Sequence, residues 1–542
     1  MKTAFVLLLL ALILIVPVIF SVSTFEITRI KITFFELIMP WIFFLWIYMN
    51  IKKKFKTLAS LPIPVLILWG GFFLFGVCLY FKNEFKAICF EQSILNTLFF
   101  MFTLAVLEEN VSKEKIHKFI FLSSIIVFLY GTLQIYGINL LKHGEEFLEN
   151  GRIFSTLANP NDLALYAGLI FFLGLYYVFE KKKKFMLLLV VWAFIMLIFS
   201  KSGSGIWGVL FSGMLLSLSF KKSVRILLFF LFLVILITVL TSTVCIKTDS
   251  VFYRNYLWED VLRMIGEKPV LGWGLGSFAY VYPGFRNPEL FLLLEDHQIE
   301  FLHPDNYYLN LAVEGGIIYL LLFVAMNVIL FYYLLKYNGS RLCFYYFAIM
   351  GGMLFQNIIS QSLHSFAAYF LYALMFGLAL CEVKDVTRIK KRKTLYFNNL
   401  AYQTMLGICV VLNIVIMYFS LRIFASDFYL RKAVYDSQVG RLNEAVPFYH
   451  KAIRFNYFNP LSHYLMGNIY LEKGSDEDLY NALKSYSDVE NIAGNYLQVY
   501  AFKGLAYHRL HDEEQADFYF NKVLLNDPYL YYQIKYYIEN QS

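Results

Sequence analysis

Charge is scarce in this chain. Asp, Glu, Lys and Arg make up only 16% of its 542 residues, against roughly 25% in a typical soluble domain. That shortage excludes a water-facing globule, because hydrophobic residues reach 59% and gather in runs of about twenty, the length a helix needs to cross the hydrocarbon of a bilayer. Cysteine is sparse as well. Cys78, Cys89, Cys245, Cys343, Cys381 and Cys409 are scattered, nearly all in or beside apolar runs, with no CxxC pair. A disulfide framework and a cysteine metal site are therefore not expected. A good small-residue cleavage pattern is missing after the first apolar run, MKTAFVLLLLALILIVPVIFSV, which is also long for a secretory signal. It reads as a first transmembrane helix. The net charge of +8 does not point to nucleic acid, since the basic residues cluster in short loops between apolar runs, as membrane topology demands.

The pattern predicts an all-α, polytopic membrane protein of about thirteen spans, at roughly 3–22, 33–51, 61–81, 92–107, 117–137, 162–180, 185–199, 205–220, 225–243, 316–336, 341–359, 363–381 and 402–422. The basic loops IKKKFK, KKKKF, KKSVR, KYNGSR and KDVTRIKKRK each follow an even-numbered span. A cytoplasmic N-terminus then places all five inside. The same parity puts the loop 138–161, the long segment 244–315 and everything after the last span on the extracytoplasmic side.

From about residue 425 charges return and apolar residues take helical spacing. Ala445, Ala482 and Ala516 recur 37 and 34 residues apart, each followed four positions on by an aromatic, Tyr449, Tyr486 and Phe520. Small residues, Ala433, Gly467 and Gly504, precede them where paired helices must approach. This resembles about three tetratricopeptide repeats, whose usual work is to hold a partner protein. The expected division is a transmembrane domain, 1–423, and an extracytoplasmic repeat domain, 424–542; a plain helical cap is the simpler alternative for the tail.

Polar groups at a membrane rim are functional candidates, and three clusters fall on the predicted outer side. GRIFSTLANPND (151–162) carries Arg152, positioned to meet an anion, and Asn159-Pro160-Asn161 with Asp162, which suits a helix N-terminus. FYRNYLWEDVLRMIGEKPVLGWGLGSF (252–278) places Arg254, Trp258 and Val261 on one helical face. Its alternating glycines lack the strand–turn–helix setting of a dinucleotide fold and read as a tight turn. HPDNYYLNLAVEGG (303–316) begins with His303 and Asp305 and repeats Asn306, Asn310 and Glu314 at four-residue spacing.

In this order and on this topology, the three clusters resemble the O-antigen ligase and polymerase family of bacterial membrane proteins over about residues 115 to 375. The family pattern has an arginine before a small-residue loop ending in NPN. It continues with a turn of the form Pro, hydrophobic, Gly, x, Gly, x, Gly, x, Phe, matched by Pro269 to Phe278, and a His–Asn segment before Glu-x-Gly, matched by His303, Asn306, Glu314 and Gly316. Two positions depart from it. Asp305 stands where many relatives have a second histidine, and SKSGSG puts Gly203 at a usual arginine position, with Lys201 nearby. Lysine supplies a point charge without the forked guanidinium geometry.

The resemblance implies a GT-C-like, metal-independent inverting glycosyltransferase of the bacterial inner membrane that needs no cofactor. Its donor would be an undecaprenyl-pyrophosphate-linked glycan and its acceptor a hydroxyl on a lipid or protein. Arg152 and Arg254 would meet the diphosphate and His303 would serve the acceptor hydroxyl. Asn306, Asp305, Glu314, Lys201, Asn159, Asn161 and Trp258 would complete the substrate site. A repeat-unit polymerase and a protein O-oligosaccharyltransferase remain alternatives within the family. A lipid-linked glycan transporter is the alternative outside it, disfavoured because mid-span charges are few. A scaffold built around the tail is a third reading.

Overall fold

The computed structural model describes residues 1–52, 61–83, 85, 89–108, 111–140, 145–219, 248–294, 301–336, 340–387 and 399–541, and every regular element among them is helical. The principal helices are α1 (Lys2–Val18), α2 (Arg29–Lys52), α3 (Ile63–Tyr80), α4 (Phe90–Val106), α5 (Lys113–Ile135), α6 (Pro160–Phe179), α7 (Met186–Phe199) and α8 (Gly203–Ser217). They continue with α9 (Thr248–Glu267), α10 (Tyr307–Lys336), α11 (Arg341–Gln356), α12 (Phe366–Thr387) and α13 (Asn399–Gln438). The C-terminal helices are α14 (Leu442–Phe455), α15 (Pro460–Lys473), α16 (Asp476–Ala493), α17 (Val499–Arg509), α18 (Glu513–Asn526) and α19 (Pro528–Gln541). Among the described residues, α2, α3, α5, α6, α10, α12 and most of α13 are long and apolar enough to cross a membrane, while α1, α4, α7 and α8 are shorter apolar helices. Every expected span except the ninth coincides with a helix; the ninth, 225–243, lies outside the described residues, as do Cys245 and the basic stretches at 53–56 and 221–225.

Local chemistry starts these helices where they start. Asn159 accepts from the Asn161 N–H and Pro160 opens α6, satisfying orphan donors with a residue that needs no N–H. Ser112, Ser202 and Ser340 cap α5, α8 and α11 in the same way. Small residues let helices close up, since lipid offers no hydrophobic drive between them. A Cβ on Gly352 of α11 would stand 2.5 Å from the Gly208 carbonyl of α8, so only glycine admits this crossing. Lys31 is buried and donates to the carbonyls of Val16 and Pro17, where a cation suits the end of α1.

The helix directions sort the polar ends. Asn159, His303 and His364 lie at the starts of α6, α10 and α12, and Gln356 at the end of α11. The opposite ends carry Lys113 paired with Glu382 and Asp385, and Lys181 near Glu114. Of the expected basic loops, the described 181–184 stretch therefore falls at the end of the bundle away from the polar clusters.

α13 runs unbroken for 40 residues, about 60 Å at the helical rise. The expected boundary at 423/424 falls inside it. Its first part is apolar and exposed, while Leu430 and Ala433 are buried against α14 and the helices that follow. The repeat spacing has its predicted meaning. A Cβ on Gly467 would meet the Tyr486 ring at 2.5 Å and one on Gly504 would meet Phe520 at 2.5 Å, so each aromatic lies on a small residue of the paired helix. Ala445, Ala482 and Ala516 are fully buried.

Candidate functional site

The face of α9 foreseen in the sequence docks on the 303–306 turn. Arg254 Nε lies 3.2 Å from Asp305 Oδ2, and the Tyr253 hydroxyl donates to the same oxygen at 2.5 Å. Trp258 Nε1 donates to the Pro304 carbonyl at 2.8 Å, and Val261 is buried beneath. The guanidinium is thus tied to the residue two positions after His303. Asp305 itself has φ 53°, a left-handed backbone that aspartate tolerates better than most.

The glycine turn after α9 is a clamp on α10. Trp273 and Gly274 N–H donate to the carbonyls of Val313 and Glu314, and Ile317 N–H donates to Pro269. Gly316 interrupts α10 with φ 71°, and a Cβ there would stand 2.1 Å from the Val270 carbonyl. The buried Glu314 carboxylate faces the N–H groups of Gly276 and Phe278 and the Asn310 amide, and its Oε1 has no hydrogen-bond partner. The alternating glycines form the predicted tight turn, with Glu314 fastening it to α10.

A segment that the sequence reading passed over, 356–365 between α11 and α12, joins the clusters. Asn306 Nδ2 donates to the Ile358 carbonyl and Tyr307 N–H to Asn357, binding the histidine turn to it. Gln356 Nε2 donates to the Asn161 carbonyl at 2.9 Å and lies 3.3 Å from Ser362 Oγ. Asp162, buried at the start of α6, faces the hydroxyls of Ser362 and Ser365. Between these serines His364 meets the His303 ring edge-on, with ring centroids 4.9 Å apart.

The third cluster closes on Asn161. Its Oδ1 accepts from Ser202 Oγ at 2.7 Å and from Arg152 Nη2 at 3.3 Å, while Arg152 Nε reaches the Ser200 carbonyl. Lys201, with φ 46°, donates to the Asn150 carbonyl. Asn159 is the cap of α6. Ser155, Ala158, Lys201 and Asp305 all hold left-handed backbone in these loops, at about 1–3 kcal/mol each, a cost that clusters where surrounding structure over-determines a site.

Burial sets the protonation states. His303 is pushed down to about 4 and His364 to about 3, because a charged imidazole would lose its hydration; the neighbouring ring adds to the effect at His364. Both rings are neutral at physiological pH. Burial also lowers Arg152 from its ordinary value, yet an arginine stays charged.

A cavity of about 470 Å³ opens beside this network, lined by Asp162, Asn310, Glu314, His364, Arg29 and Glu91 among others. Of the expected site residues only Glu314 lines it. Arg152, Arg254 and His303 do not, and His303 reaches it through the His364 ring and its neighbour Leu302. The structure therefore brings Arg254, Asp305, Trp258, Asn306 and His303 into one cluster and Arg152, Asn161, Lys201 and Asn159 into another, with 356–365 between them. Among the described residues no group of three His, Cys, Asp or Glu side chains has an arrangement that could hold a metal ion.

His364, Asp162 and Gln356 were not foreseen as site residues. The signal was present: QNIISQSLHS is a polar stretch between two apolar spans, and the rule that singled out HPDN applies to it equally.

Comparison with known proteins supports the resemblance. Residues 188–324 match the O-antigen ligase family, a stretch that holds Lys201, Arg254, Trp258, His303, Asp305, Asn306 and Glu314 but not Arg152. Residues 497–529 match the tetratricopeptide repeat. A protein of Rickettsia conorii provisionally named a polysaccharide ligase is 36% identical over 77 residues, covering 14% of this chain and 18% of that protein. Over residues 188–324 the chain is therefore similar to O-antigen ligases, within a bundle that includes membrane-length apolar helices, and over 497–529 to a tetratricopeptide repeat.

Proposed function

We propose that this protein is an O-antigen ligase-like glycosyltransferase of the bacterial inner membrane, with its site and C-terminal helices on the extracytoplasmic face. It transfers a glycan from an undecaprenyl-pyrophosphate carrier to an acceptor hydroxyl. One observation carries the reading: an arginine-bearing loop, an arginine-bearing helix and a pair of neutral imidazoles, from distant parts of the chain, belong to one contact network at the end of the bundle away from Lys113 and Lys181.

In this reading the bond between the sugar C1 and the phosphate oxygen breaks as the acceptor oxygen bonds to C1 from the opposite face. The negative charge left on the diphosphate is met by Arg254 and Arg152, with Lys201 as an added charge; this is stabilisation of charge that develops in the transition state, and it requires no metal. Asp305 holds Arg254 before the donor binds and yields it to the more highly charged diphosphate. The hydroxyl proton passes to the free imidazole nitrogen of His303. Trp258, Asn306, Glu314, Asn159 and Asn161 position these groups through the hydrogen bonds described above.

A strain lacking the gene tests the reading. Gel analysis of its surface glycan should show loss of attached polymer and accumulation of carrier-linked polymer. Products of a single repeat would identify a polymerase, and glycan lost only from protein would identify a protein glycosyltransferase. Loss of attached polymer with carrier-linked glycan trapped on the cytoplasmic side would turn the reading toward transport.

A further inference from the structure

A second cavity, of about 570 Å³, lies where α13 meets the start of α4, the end of α3 and the Asn456–Pro460 turn that leads into α15. It shares Glu26, Arg29, Glu91 and Tyr280 with the cavity that His364 lines, so the two lie side by side, one toward His364 and the other against the repeat helices. Both volumes fall within the roughly 300–1,000 Å³ of small-ligand pockets.

The lining of the second cavity is unusual for a membrane body. Rings from Tyr80, Phe90, Tyr280, Phe419, Tyr457 and Phe458 alternate with planar polar groups. Those groups are of mixed sign: Arg29 is held bidentate by Glu91, at 2.7 and 2.8 Å, and Arg422 donates to the carbonyls of Phe455 and Arg454. With its cations so engaged and Glu26 and Asp427 alongside, the cavity does not suit a phosphate. It suits a neutral, hydroxyl-rich ring, whose C–H face lies on an aromatic while its hydroxyls meet carboxylates, amides and guanidinium edges. The lip is preformed. The Tyr457 hydroxyl donates to Asp488, His463 bonds the Tyr457 carbonyl, and Asn459 caps α15, yet Tyr457 and Phe458 remain 46% and 45% exposed. The Tyr457 ring is set edge-to-face against His463 and Phe458, and nearly half of each ring's residue stays open to the cavity side.

We propose that this junction cavity is a saccharide-binding subsite that holds the glycan some distance from the reacting bond. The repeat helices are then one wall of the subsite. This deepens the glycosyltransfer reading and rests on it for the identity of the glycan, but saccharide binding can be tested without transfer.

The probe is the lipid-free oligosaccharide released by mild acid from the host's own carrier-linked pool. Its binding is measured to the full chain in lipid nanodiscs, by saturation-transfer NMR and fluorescence titration. Wild type should bind saturably. The double variant Tyr457→Ala/Phe458→Ala should bind about tenfold more weakly or worse, the loss expected when stacked rings are removed. Tyr457→Phe, which keeps the ring, should stay near wild type, and Phe458→Ala alone should fall between, which guards against a double variant that folds poorly. His303→Ala should bind as wild type. Absence of binding in wild type, or equal binding in the double variant, overturns the proposal, and loss of binding on adding a host protein that occupies the lip would assign the surface to a protein partner instead. If His303→Ala leaves transfer intact while the lip variants lose saccharide binding, the catalytic reading fails and the subsite stands.

Discussion

An imidazole in water is half protonated near pH 6.5, but His303 and His364 are buried together and pushed down to about 4 and about 3. At pH 5.5 a His303 that titrates near 4 is ~97% neutral, whereas an ordinary histidine would be only ~9% neutral. The expected outcome is a kcat/KM for transfer that stays flat from pH 8 to about 5, since this quantity reports the free enzyme. Once the donor binds, its diphosphate raises the proton affinity of any nearby imidazole, so the acid limb of kcat should lie at higher pH than that of kcat/KM. The assay is transfer of extracted, labelled carrier-linked glycan by the full chain in nanodiscs, with initial rates across pH 4.5 to 8.5. The sign for stability is the same. Both folded values lie below the unfolded one, so the unfolded chain takes up protons first as pH falls. Resistance to thermal inactivation should be complete above about 6.5 and decline toward about 4 for His303 and about 3 for His364, by about 1.4 kcal/mol per unit at most and less where solvent reaches the ring. A kcat/KM limb with its midpoint near 6.5 and a one-proton slope would refute the closed, desolvated imidazole pair.

Other perturbations have equally definite outcomes. Arg254→Ala should lower kcat/KM by about 10- to 100-fold, the worth of a charge-assisted hydrogen bond, and Arg254→Lys should recover little because the fork is lost; full recovery by lysine would assign Arg254 to bulk electrostatics. Gly316→Ala places a Cβ against the Val270 carbonyl at a left-handed φ and should cost at least about 2 kcal/mol, read as earlier thermal aggregation in detergent and loss of the Trp273 clamp. Gln356→Ala removes the bonds to Asn161 and Ser362 and should reduce kcat with little change in expression, whereas a wild-type kcat would detach the Arg152 cluster from the site.

The helical body was readable because its signal is long and repetitive. Apolar runs of span length and basic loops of fixed parity placed nearly every helix, and the small–aromatic spacing of Gly467 with Tyr486 and Gly504 with Phe520 foretold how the repeat helices pack. The shared face of Arg254 and Trp258 on α9 was legible as well, although its partner, the histidine turn, was not. What escaped was the bridging role of 356–365, because a segment that begins as the end of one span and finishes as the start of the next looks apolar in any window long enough to detect a helix. Gln356 acts on Asn161 across 195 residues of sequence and His364 on His303 across about sixty, and no local pattern encodes a pairing at such separations. The continuous α13 was hidden for a related reason: hydropathy changes sharply near residue 424, but backbone geometry does not follow hydropathy.

The central claim is that His303 and Arg254, brought together through Asp305, serve one glycosyl transfer. It is tested most directly by single-turnover transfer from carrier-linked glycan with full-length wild type, His303→Ala and Arg254→Ala, each shown to be inserted and helical. The account predicts that the histidine variant loses at least about 100-fold in rate, the usual contribution of a positioned base, and that the arginine variant is also impaired. Transfer at the wild-type rate by both variants would contradict it.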